Sequence, residues 1–350
     1  MSKAQYTVFY LNKTSNGSGG VEFDYFYRTN YKGDEGIIIR KKYNYTSNSK
    51  SEIMKKYLDS ETVDPIMRLP YHPNITKLFY VDRHKKVAYL DYVPGYSLSQ
   101  YVKNHIASEI ELDKKLIICH SLAKGIQFLH NHQIYHRDIS SCNVIITPSS
   151  VSVIIDLEFM KHTPQEISNN NTYTGKLAYL HPDFKNDSLS DLKKIDIFAY
   201  SIVLYELFLF EASLDFTKHN SMPEARDHFQ EEIKSLDKCK TKEETESLLK
   251  VAYARYLQNI GIDEKKVANQ FYDGKKIDST VAQKLTQFIF GCTCYDYTNM
   301  DQIIQELESF TGYPKFTEYL QQINQTERRY EQEQLVHGSL ENLTIGCPVM

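Results

Sequence analysis

A short polar run carries the residues of this chain that are best suited to chemistry. The run lies between two apolar stretches and contains His136, Arg137 and Asp138, with Asn143 five positions after the aspartate. A carboxylate in such a position can accept the proton of a hydroxyl group, and an amide oxygen beside it can bind a metal ion. The spacing indicates activation of a hydroxyl nucleophile next to a cation. A surface turn in which Asp138 caps a helix fits the same residues.

Elements with clear hydrophobic periodicity flank this run and would position it. From Leu112 to Leu129 apolar residues recur every three or four positions, which predicts a long helix leading to His136. The apolar residues Val151 to Ile155 predict a short strand after the run. Nearer the N-terminus, Tyr6 to Leu11 and Val21 to Thr29 predict two strands of a hairpin around a glycine-rich turn.

Length and composition indicate a large globular protein. The 350 residues are 41% hydrophobic and 25% charged, which allows a sizeable core in two lobes. A formal net charge of −4 gives no basic field for nucleic acid. The six cysteines form no C-x-x-C pair, so we expect neither a zinc site nor a disulfide framework. Ile197 to Phe210 is interrupted by Glu206 and is too short to span a bilayer, so we expect a buried helix there.

The pattern H-R-D-x-x-x-x-N at His136 to Asn143 resembles the catalytic loop of the protein kinases. Other segments resemble kinase elements in the same order along the chain. They are the hairpin around Asn16 to Gly20, the third strand at Gly36 to Lys42, the hinge at Leu90 to Leu98, Asp156 to Glu158 in place of D-F-G, the activation-segment end at Gly175 to Asp183, and the C-lobe helix at Asp196 to Leu207. The sequence is identified as a divergent member of the eukaryotic-type protein kinase superfamily, in its Ser/Thr or tyrosine-kinase-like branch.

The resemblance implies an α+β, bilobal protein-kinase-like fold. A small β-rich N-lobe would span residues 1–93, and a larger helical C-lobe would span residues 94–315. The kinase pattern fades at about residues 211–290, where charged helix-forming runs predict a helical insertion. Residues 316–350 would form a helical tail that ends in a CaaX-like motif.

The activity implied by the resemblance is transfer of the γ-phosphate of ATP to a Ser or Thr hydroxyl of a protein substrate. Asp138 would be the catalytic base, and Asn143 and Asp156 would hold Mg²⁺. Ser140 stands where Ser/Thr kinases usually carry lysine, and Lys176 stands where their activation segment carries threonine. We hypothesise that Lys176 supplies the cation near the γ-phosphate that Ser140 cannot.

ATP binding is implied for a set of residues in the first part of the chain. These are Gly17 and Gly19 in the phosphate loop, Arg40 or Lys41 at the phosphates, Leu90 at the back of the adenine pocket, and the backbones of Asp91 and Val93 at the adenine. Glu22 replaces the third glycine of the phosphate loop, which favours a plain hairpin turn over a tight clamp. Only one of Arg40 and Lys41 can face the nucleotide, because strand side chains alternate, and side-chain chemistry narrowly favours Lys41.

Structural roles are implied for His136, Arg137, Asp196 and Glu61. Asp196 would accept hydrogen bonds from backbone N–H groups of the catalytic loop. Glu61 is the carboxylate nearest to the helix glutamate that holds the kinase lysine, but Pro65 should disturb a regular helix there, so a surface role is an equal alternative. Thr172 and Thr174, with Tyr173, are phosphorylation candidates because a phosphate there could pair with Arg137.

A pseudokinase, a kinase-shaped binding or scaffold module, is the alternative function. It is supported by Glu22, by Glu158 in place of a glycine, by the ambiguous lysine and by the missing helix glutamate. Small-molecule phosphotransfer is a third option, which Asp196 and the Gly175 to Asp183 segment disfavour. The arginine that kinases carry near Cys292 to Leu307, as the partner of the glutamate that Asp183 replaces, is missing.

The expected partners are a protein substrate and a protein bound at the helical insertion, but not nucleic acid. The sequence from Gly346 to Met350 fits the farnesylation pattern, so Cys347 is a candidate for lipidation and membrane attachment. One lipid chain alone gives only marginal membrane binding. With no signal-peptide core at its start, the chain is expected in the cytoplasm, with membrane association through prenylation.

Overall fold

The computed structural model describes most of the chain and divides it into two compact units. The described residues are 6–17, 21–30, 35–43, 63–104, 110–162, 179–182, 192–209, 222–236, 242–259, 278–293, 297–310 and 312–323. One unit comprises Met1–Pro94 with Thr317–Met350, and the other comprises Gly95–Phe316. The first contains an antiparallel sheet and the second is mainly helical. The predicted α+β fold class is confirmed.

The first unit is built on five antiparallel strands in the order β1-β2-β3-β5-β4. The strands are β1 (Tyr6–Gly17), β2 (Val21–Asn30), β3 (Glu35–Tyr43), β4 (Leu78–Asp82) and β5 (Val87–Asp91). Strands β1 and β2 form the predicted hairpin. Strand β1 runs past the predicted end at Leu11 to Gly17, because irregularities in its register let it stay paired with β2.

Helix α1 (Val63–Arg68) contains Pro65, which we expected to disturb a regular helix. Pro65 lies in the first turn of α1, and the segment at Glu61 where we expected the disturbance is not among the described residues. Backbone N–H groups in the first turn have no partner within the helix, so a proline there removes no intrahelical hydrogen bond. Val63 and Ile66 are buried and hold the helix on the unit's core. Glu61 lies outside the described residues.

The second unit contains the helices and short strands that surround the polar run. Its helices are α2 (Leu98–Asn104), α3 (Leu112–Asn131), α4 (Lys193–Leu209), α5 (Met222–Leu236), α6 (Lys242–Asn259), α7 (Ser279–Thr293) and α8 (Met300–Glu308). Strands β6 (Tyr96–Ser97), β8 (Val144–Ile146) and β9 (Ser152–Ile154) form one sheet, and β7 (Ile134–Tyr135) pairs with β10 (Lys161–His162). A further helix, α9, spans residues 314–323, and its residues from Thr317 onward are assigned to the first unit.

Helices α3 and α4 form the core that carries the polar run. The predicted helix from Leu112 to Leu129 is confirmed as α3, and its apolar positions, such as Leu116 and Ile126, are fully buried. The predicted buried helix that begins at Ile197 is confirmed as part of α4 up to Leu209, and Phe210 lies outside the described residues. Within the described ranges, every helix is too short or too polar to serve as a membrane span.

Gly95 is required by the close approach of two backbone segments. Its φ is +146°, and a Cβ added there would overlap the carbonyl oxygen of Ile146 and lie 2.9 Å from Cγ2 of Ile145. We expect Gly95→Ala to lower the free energy of unfolding by about 3 kcal/mol, because the backbone strain at Gly95 adds to the overlap with the backbone of the buried Ile146. Urea unfolding followed by circular dichroism measures the loss.

Gly312→Ala is the matched control. Gly312 also has a positive φ, +97°, but a Cβ there would meet no atom within 4 Å. The control variant therefore carries the backbone strain without the overlap, and we expect it to cost about 1 kcal/mol. Equal losses in the two variants would contradict the role of the close approach at Gly95.

Candidate active site

The polar run forms a buried loop between β7 and β8, and Asn143 fixes the position of Asp138 within it. The Asn143 side-chain amide donates hydrogen bonds to the Asp138 carbonyl oxygen at 2.8 Å and to its Oδ2 at 2.7 Å. One amide group thus holds both the backbone and the carboxylate of Asp138. Since both bonds use Nδ2, the Oδ1 atom of Asn143 is left as the acceptor that can bind a cation.

His136 joins this loop to the strand that precedes Asp156. The imidazole is fully buried, and its Nδ1 accepts a hydrogen bond from the backbone N–H of Asp138 at 3.3 Å. Its Nε2 lies 3.2 Å from the carbonyl oxygen of Ile155 and donates to it, because a carbonyl can only accept. These two bonds select the neutral tautomer that carries the proton on Nε2.

Asp196, near the start of α4, lies beneath the loop and is fully buried. Its Oδ2 accepts hydrogen bonds from the backbone N–H of His136 at 2.9 Å and from Nε2 of His130 at 3.0 Å. Its Oδ1 accepts one from the backbone N–H of Arg137 at 2.8 Å. Burial alone would raise the pKa of the Asp196 carboxyl, but the hydrogen bond from His130 and the Arg137 N–H lower it below its ordinary value. The carboxylate is therefore ionised and bound on both oxygens.

Asn143 immediately precedes β8, and Asp156 follows β9 by two residues, at the same end of this strand pair. The carbonyl oxygen of Asn143 accepts a hydrogen bond from the backbone N–H of Ile155 at 2.9 Å, which brings the residue before Asp156 beside Asn143. Asp156 has a left-handed backbone with φ of 64°, and a 3₁₀ turn, Leu157–Phe159, follows it. Glu158, which replaces the glycine of the kinase pattern, lies within this turn.

The donor atoms of these two residues are of the kind that a magnesium ion binds. The described residues contain no group of three or more His, Cys, Asp or Glu side chains suited to hold a metal. Mg²⁺ needs no such group, because it binds through one or two protein oxygens and keeps waters and substrate phosphates as its other ligands. An amide oxygen of Asn143 and a carboxylate of Asp156 are suitable donors for it.

A buried tyrosine links the loop to α4. The Tyr179 hydroxyl donates a hydrogen bond to Oε1 of Glu206 at 2.5 Å and lies 3.0 Å from Oγ of Ser141. Burial and the neighbouring Glu206 carboxylate raise the pKa of the Tyr179 phenol, so it remains a neutral donor. Ser140, next to Ser141, is fully buried, and its carbonyl oxygen accepts the backbone N–H of Asn143 at 2.9 Å.

Helix α2 begins against the same loop. Ser97 is its N-cap and forms a capping box with Gln100, in which each side chain accepts the other's backbone N–H at 3.3 Å. The backbone N–H of Ser99 then donates to the carbonyl oxygen of Ser141 at 3.0 Å. Cys142, an exposed residue of the loop, lies 3.6 Å from Oγ of Ser99 through its Sγ.

In the first unit, the strand register separates Arg40 from Lys41. Lys41 pairs with Ala88, and Ile39 pairs with Leu90, so these four residues share one face of the sheet. Lys41 lies over the rings of Phe23 and Tyr43, with its Nζ 5.9 and 5.6 Å from their centroids.

Arg40 lies on the opposite face of the sheet. It pairs with Tyr89, and its guanidinium lies 5.3 Å from the centroid of the Phe26 ring. Both cations are therefore in contact with aromatic rings, but only Lys41 shares a face with Leu90.

Asp91 of the predicted hinge is the last residue of β5, and the hinge continues to Tyr92 and Val93. The backbone N–H of Asp91 donates to the carbonyl oxygen of Lys77 at 3.0 Å, and the Asp91 carbonyl accepts Oγ1 of Thr76 at 3.1 Å. The backbone N–H of Tyr92 donates to the carbonyl oxygen of Ile37 at 2.9 Å, and Val93 is half-buried. These hydrogen bonds attach the predicted hinge to the five-stranded sheet of the first unit.

The structure brings several predicted residues together and leaves others undescribed. Asp138, Asn143, His136, Arg137 and Asp196 form one hydrogen-bonded cluster, which Asp156 adjoins. Gly17 pairs with Val21 at the tip of the hairpin. The predicted residues that lie outside the described part of the chain are Gly19, Glu61, Thr172, Tyr173, Thr174, Lys176 and Cys347.

Three residues of the site, His130, Tyr179 and Glu206, are not predicted from the sequence to belong to it. His130 and Tyr179 were not singled out, and Glu206 was noted only as a break in an apolar run. Signals for them exist in the sequence. His130 occupies the last turn of the helix that leads to the loop, and a lone carboxylate inside an apolar helix, such as Glu206, needs a buried partner.

Comparison with known proteins agrees with this architecture. The family model of the protein kinase domain matches residues 17–305. The chain is 25% identical over 219 residues to the probable serine/threonine-protein kinase PknB of Lactococcus lactis, which covers 61% of this chain and 34% of that protein. It is 30% identical over 166 residues to a serine/threonine-protein kinase-like protein of Arabidopsis thaliana, with 47% of each chain covered.

A third relative is the serine/threonine-protein kinase PrkC of Bacillus subtilis. It is 28% identical over 167 residues, which covers 47% of this chain and 25% of that protein. The chain thus spans a quarter to a half of the length of these three relatives. Because the family model covers well over half of the sequence, and because an N-terminal antiparallel sheet precedes a helical remainder, the chain belongs to the protein kinase family.

Proposed function

We propose that this chain is an active protein kinase that transfers the γ-phosphate of ATP to a Ser or Thr hydroxyl of a protein substrate. The observation that supports the proposal most strongly is the clamp on Asp138, whose carboxylate and carbonyl are both held by Asn143. A base held in this way is oriented before the substrate arrives, so little reorganisation is needed when the reaction begins.

Each residue of the cluster has a distinct role in this proposal. Asp138 orients the substrate hydroxyl and accepts its proton. His136 holds the Asp138 backbone through its Nδ1, and the ionised Asp196 holds the backbone of His136 and Arg137. Asn143 and Asp156 would hold Mg²⁺, which neutralises charge on the phosphates when it is bound. The loop therefore resists displacement of Asp138 from several sides.

Lys41, rather than Arg40, is proposed as the cation that contacts the ATP phosphates. The support is the register of β3, which puts Lys41 on the face of Leu90, the residue implied to border the adenine pocket. Lys41→Met should lower kcat/KM for ATP by about 10²-fold, because a charged donor to the phosphates is lost. Steady-state kinetics at varied ATP concentration measure the change.

Arg40→Met is the matched control for the Lys41 variant. It removes a neighbouring cation of the same strand from the opposite face, and we expect kcat/KM for ATP to change by less than about threefold. The reverse order of effects, with the larger loss at Arg40, would assign the phosphate contact to Arg40 instead.

Four further residues have proposed roles that rest on the sequence alone, because they lie outside the described residues. Lys176 would supply the cation that the buried Ser140 does not. Thr172 or Thr174 would accept a regulatory phosphate, and Cys347 would carry a farnesyl group that gives a cytoplasmic protein a weak membrane attachment. The helical insertion would bind a partner.

A pseudokinase function is the second candidate, and Glu158 favours it. This carboxylate follows Asp156 by two residues within the 3₁₀ turn, so it adds negative charge near the proposed metal site. The two functions are distinguished by measuring ATP binding and turnover on the same sample. An active kinase is stabilised by Mg²⁺ and ATP and phosphorylates a protein acceptor, whereas a pseudokinase shows stabilisation without turnover.

A further inference from the structure

A buried hydrogen bond joins the end of the activation segment to a helix of the insertion. Nε2 of His181, which precedes Pro182, lies 3.1 Å from the hydroxyl of Tyr253 in α6. Both residues have 0% of their surface exposed. The His181 ring also contacts Phe198 of α4, with centroids 5.4 Å apart at an angle of 75°. The imidazole is thus held between α4 and α6.

Tyr253 also packs against Phe229 of α5. The rings of Phe229 and Tyr253 have centroids 4.6 Å apart, and Tyr256, one turn further along α6, lies 5.5 Å from the same phenylalanine. Phe229 is buried, so α5 and α6 present Tyr253 from a packed aromatic cluster. Packed aromatic rings have few alternative positions, which makes the cluster a rigid support.

On its other side, His181 leads to the catalytic loop. Tyr179 lies two residues before it and contacts Ser141 of the loop and Glu206 of α4. The hydrogen bond of His181 to α6 and that of Tyr179 to Ser141 are therefore separated by only two residues of backbone, and Ser141 lies two positions before Asn143. In contrast, the arginine that usually anchors this end of the segment is absent from Cys292 to Leu307.

We propose that Tyr253 is a positioning residue, whose hydrogen bond to His181 anchors the end of the activation segment in place of the missing ion pair. Breaking this bond leaves a buried nitrogen without its partner, so the bond favours one arrangement of the segment. Through Tyr179 the same anchor sets the position of the catalytic loop. The part of the proposal that concerns catalysis rests on the proposed kinase function.

Tyr253→Phe tests the anchor because it removes one hydroxyl and keeps the ring. We expect kcat for phosphorylation of a protein acceptor to fall about tenfold while KM for ATP stays within about twofold, since the lost bond positions the loop and does not touch the nucleotide. We also expect faster hydrogen exchange of the amides of residues 136–143, measured by mass spectrometry. The exchange measurement needs no activity.

Tyr256→Phe is the matched control, because it removes a hydroxyl from the same helix and the same aromatic cluster. The proposal requires that this variant keep wild-type kcat and wild-type exchange in the loop. Equal effects of the two variants, or unchanged loop exchange in Tyr253→Phe, would overturn it. If the wild-type chain transfers no phosphate, the kinase function fails, while the exchange of Tyr253→Phe still decides the anchor.

Discussion

Asp138→Asn is expected to lower kcat for phosphoryl transfer by about 10³-fold and to leave KM for ATP nearly unchanged. The amide cannot accept the proton of the substrate hydroxyl, but its oxygen can still accept the hydrogen bond that Asn143 now donates at 2.7 Å. The loop should therefore keep its shape and lose its base. Steady-state kinetics with purified wild-type and variant chains, at saturating Mg²⁺, measure both constants.

Asp227→Asn is the charge-matched control for this experiment. Asp227 is exposed on α5, and its replacement should change kcat by less than about twofold. A thermal unfolding curve for Asp138→Asn that matches the wild type would exclude unfolding as the cause of the loss. Wild-type turnover in the Asp138 variant would remove Asp138 from the role of base.

Asp196→Ala should have the largest effect on stability among single substitutions of the cluster. It deletes the acceptor of three hydrogen bonds, of which those from His136 and His130 are buried and that from Arg137 is partly buried. Removing one partner of such a buried charged group costs about 3–5 kcal/mol, because the remaining N–H groups lose both water and partner. Urea unfolding followed by circular dichroism measures the change in the free energy of unfolding.

Asp301→Ala provides the comparison for Asp196→Ala. Asp301 accepts one hydrogen bond, from Gln127, at the exposed surface, and its loss should cost less than about 1 kcal/mol. A similar cost for both variants would mean that Asp196 does not hold the loop.

The stabilising effect of Asp196 depends on pH in a defined direction. Its folded pKa lies below the ordinary value of 3.8, so the folded state favours the ionised carboxylate. The contribution of Asp196 to the free energy of unfolding is fully present above the ordinary pKa and is lost as the pH falls through the folded pKa. The difference in unfolding free energy between wild type and Asp196→Ala should therefore be constant near neutral pH and shrink in acid.

Local pattern was sufficient to predict the elements of the fold. The repeat from Leu112 to Leu129 predicted α3, and alternation predicted the β1–β2 hairpin, because both depend on near neighbours in sequence. The effect of Pro65 on a helix is harder to predict from local pattern. Whether a proline disturbs a helix depends on where the helix begins, and helix boundaries are set by contacts beyond the local sequence.

Which residues of the site form hydrogen bonds with one another was harder to predict than which residues belong to the site. His130 and Asp196 are 66 positions apart, and Tyr253 and His181 are 72 apart, so no periodicity relates them. The choice between Arg40 and Lys41 shows the same limit. Sequence indicates that adjacent residues face opposite ways, but only the pairing of β3 with β5 indicates which of them shares a face with Leu90.

The measurement that tests the central claim most directly is phosphate transfer by the purified full-length chain. The chain is incubated with Mg²⁺, γ-labelled ATP and a generic protein acceptor, beside the Asp138→Asn and Asp156→Ala variants. The account predicts labelled phosphoserine or phosphothreonine with the wild-type chain and about 10³-fold less with either variant. Wild-type protein that binds ATP with Mg²⁺ and leaves every Ser and Thr unlabelled would contradict it.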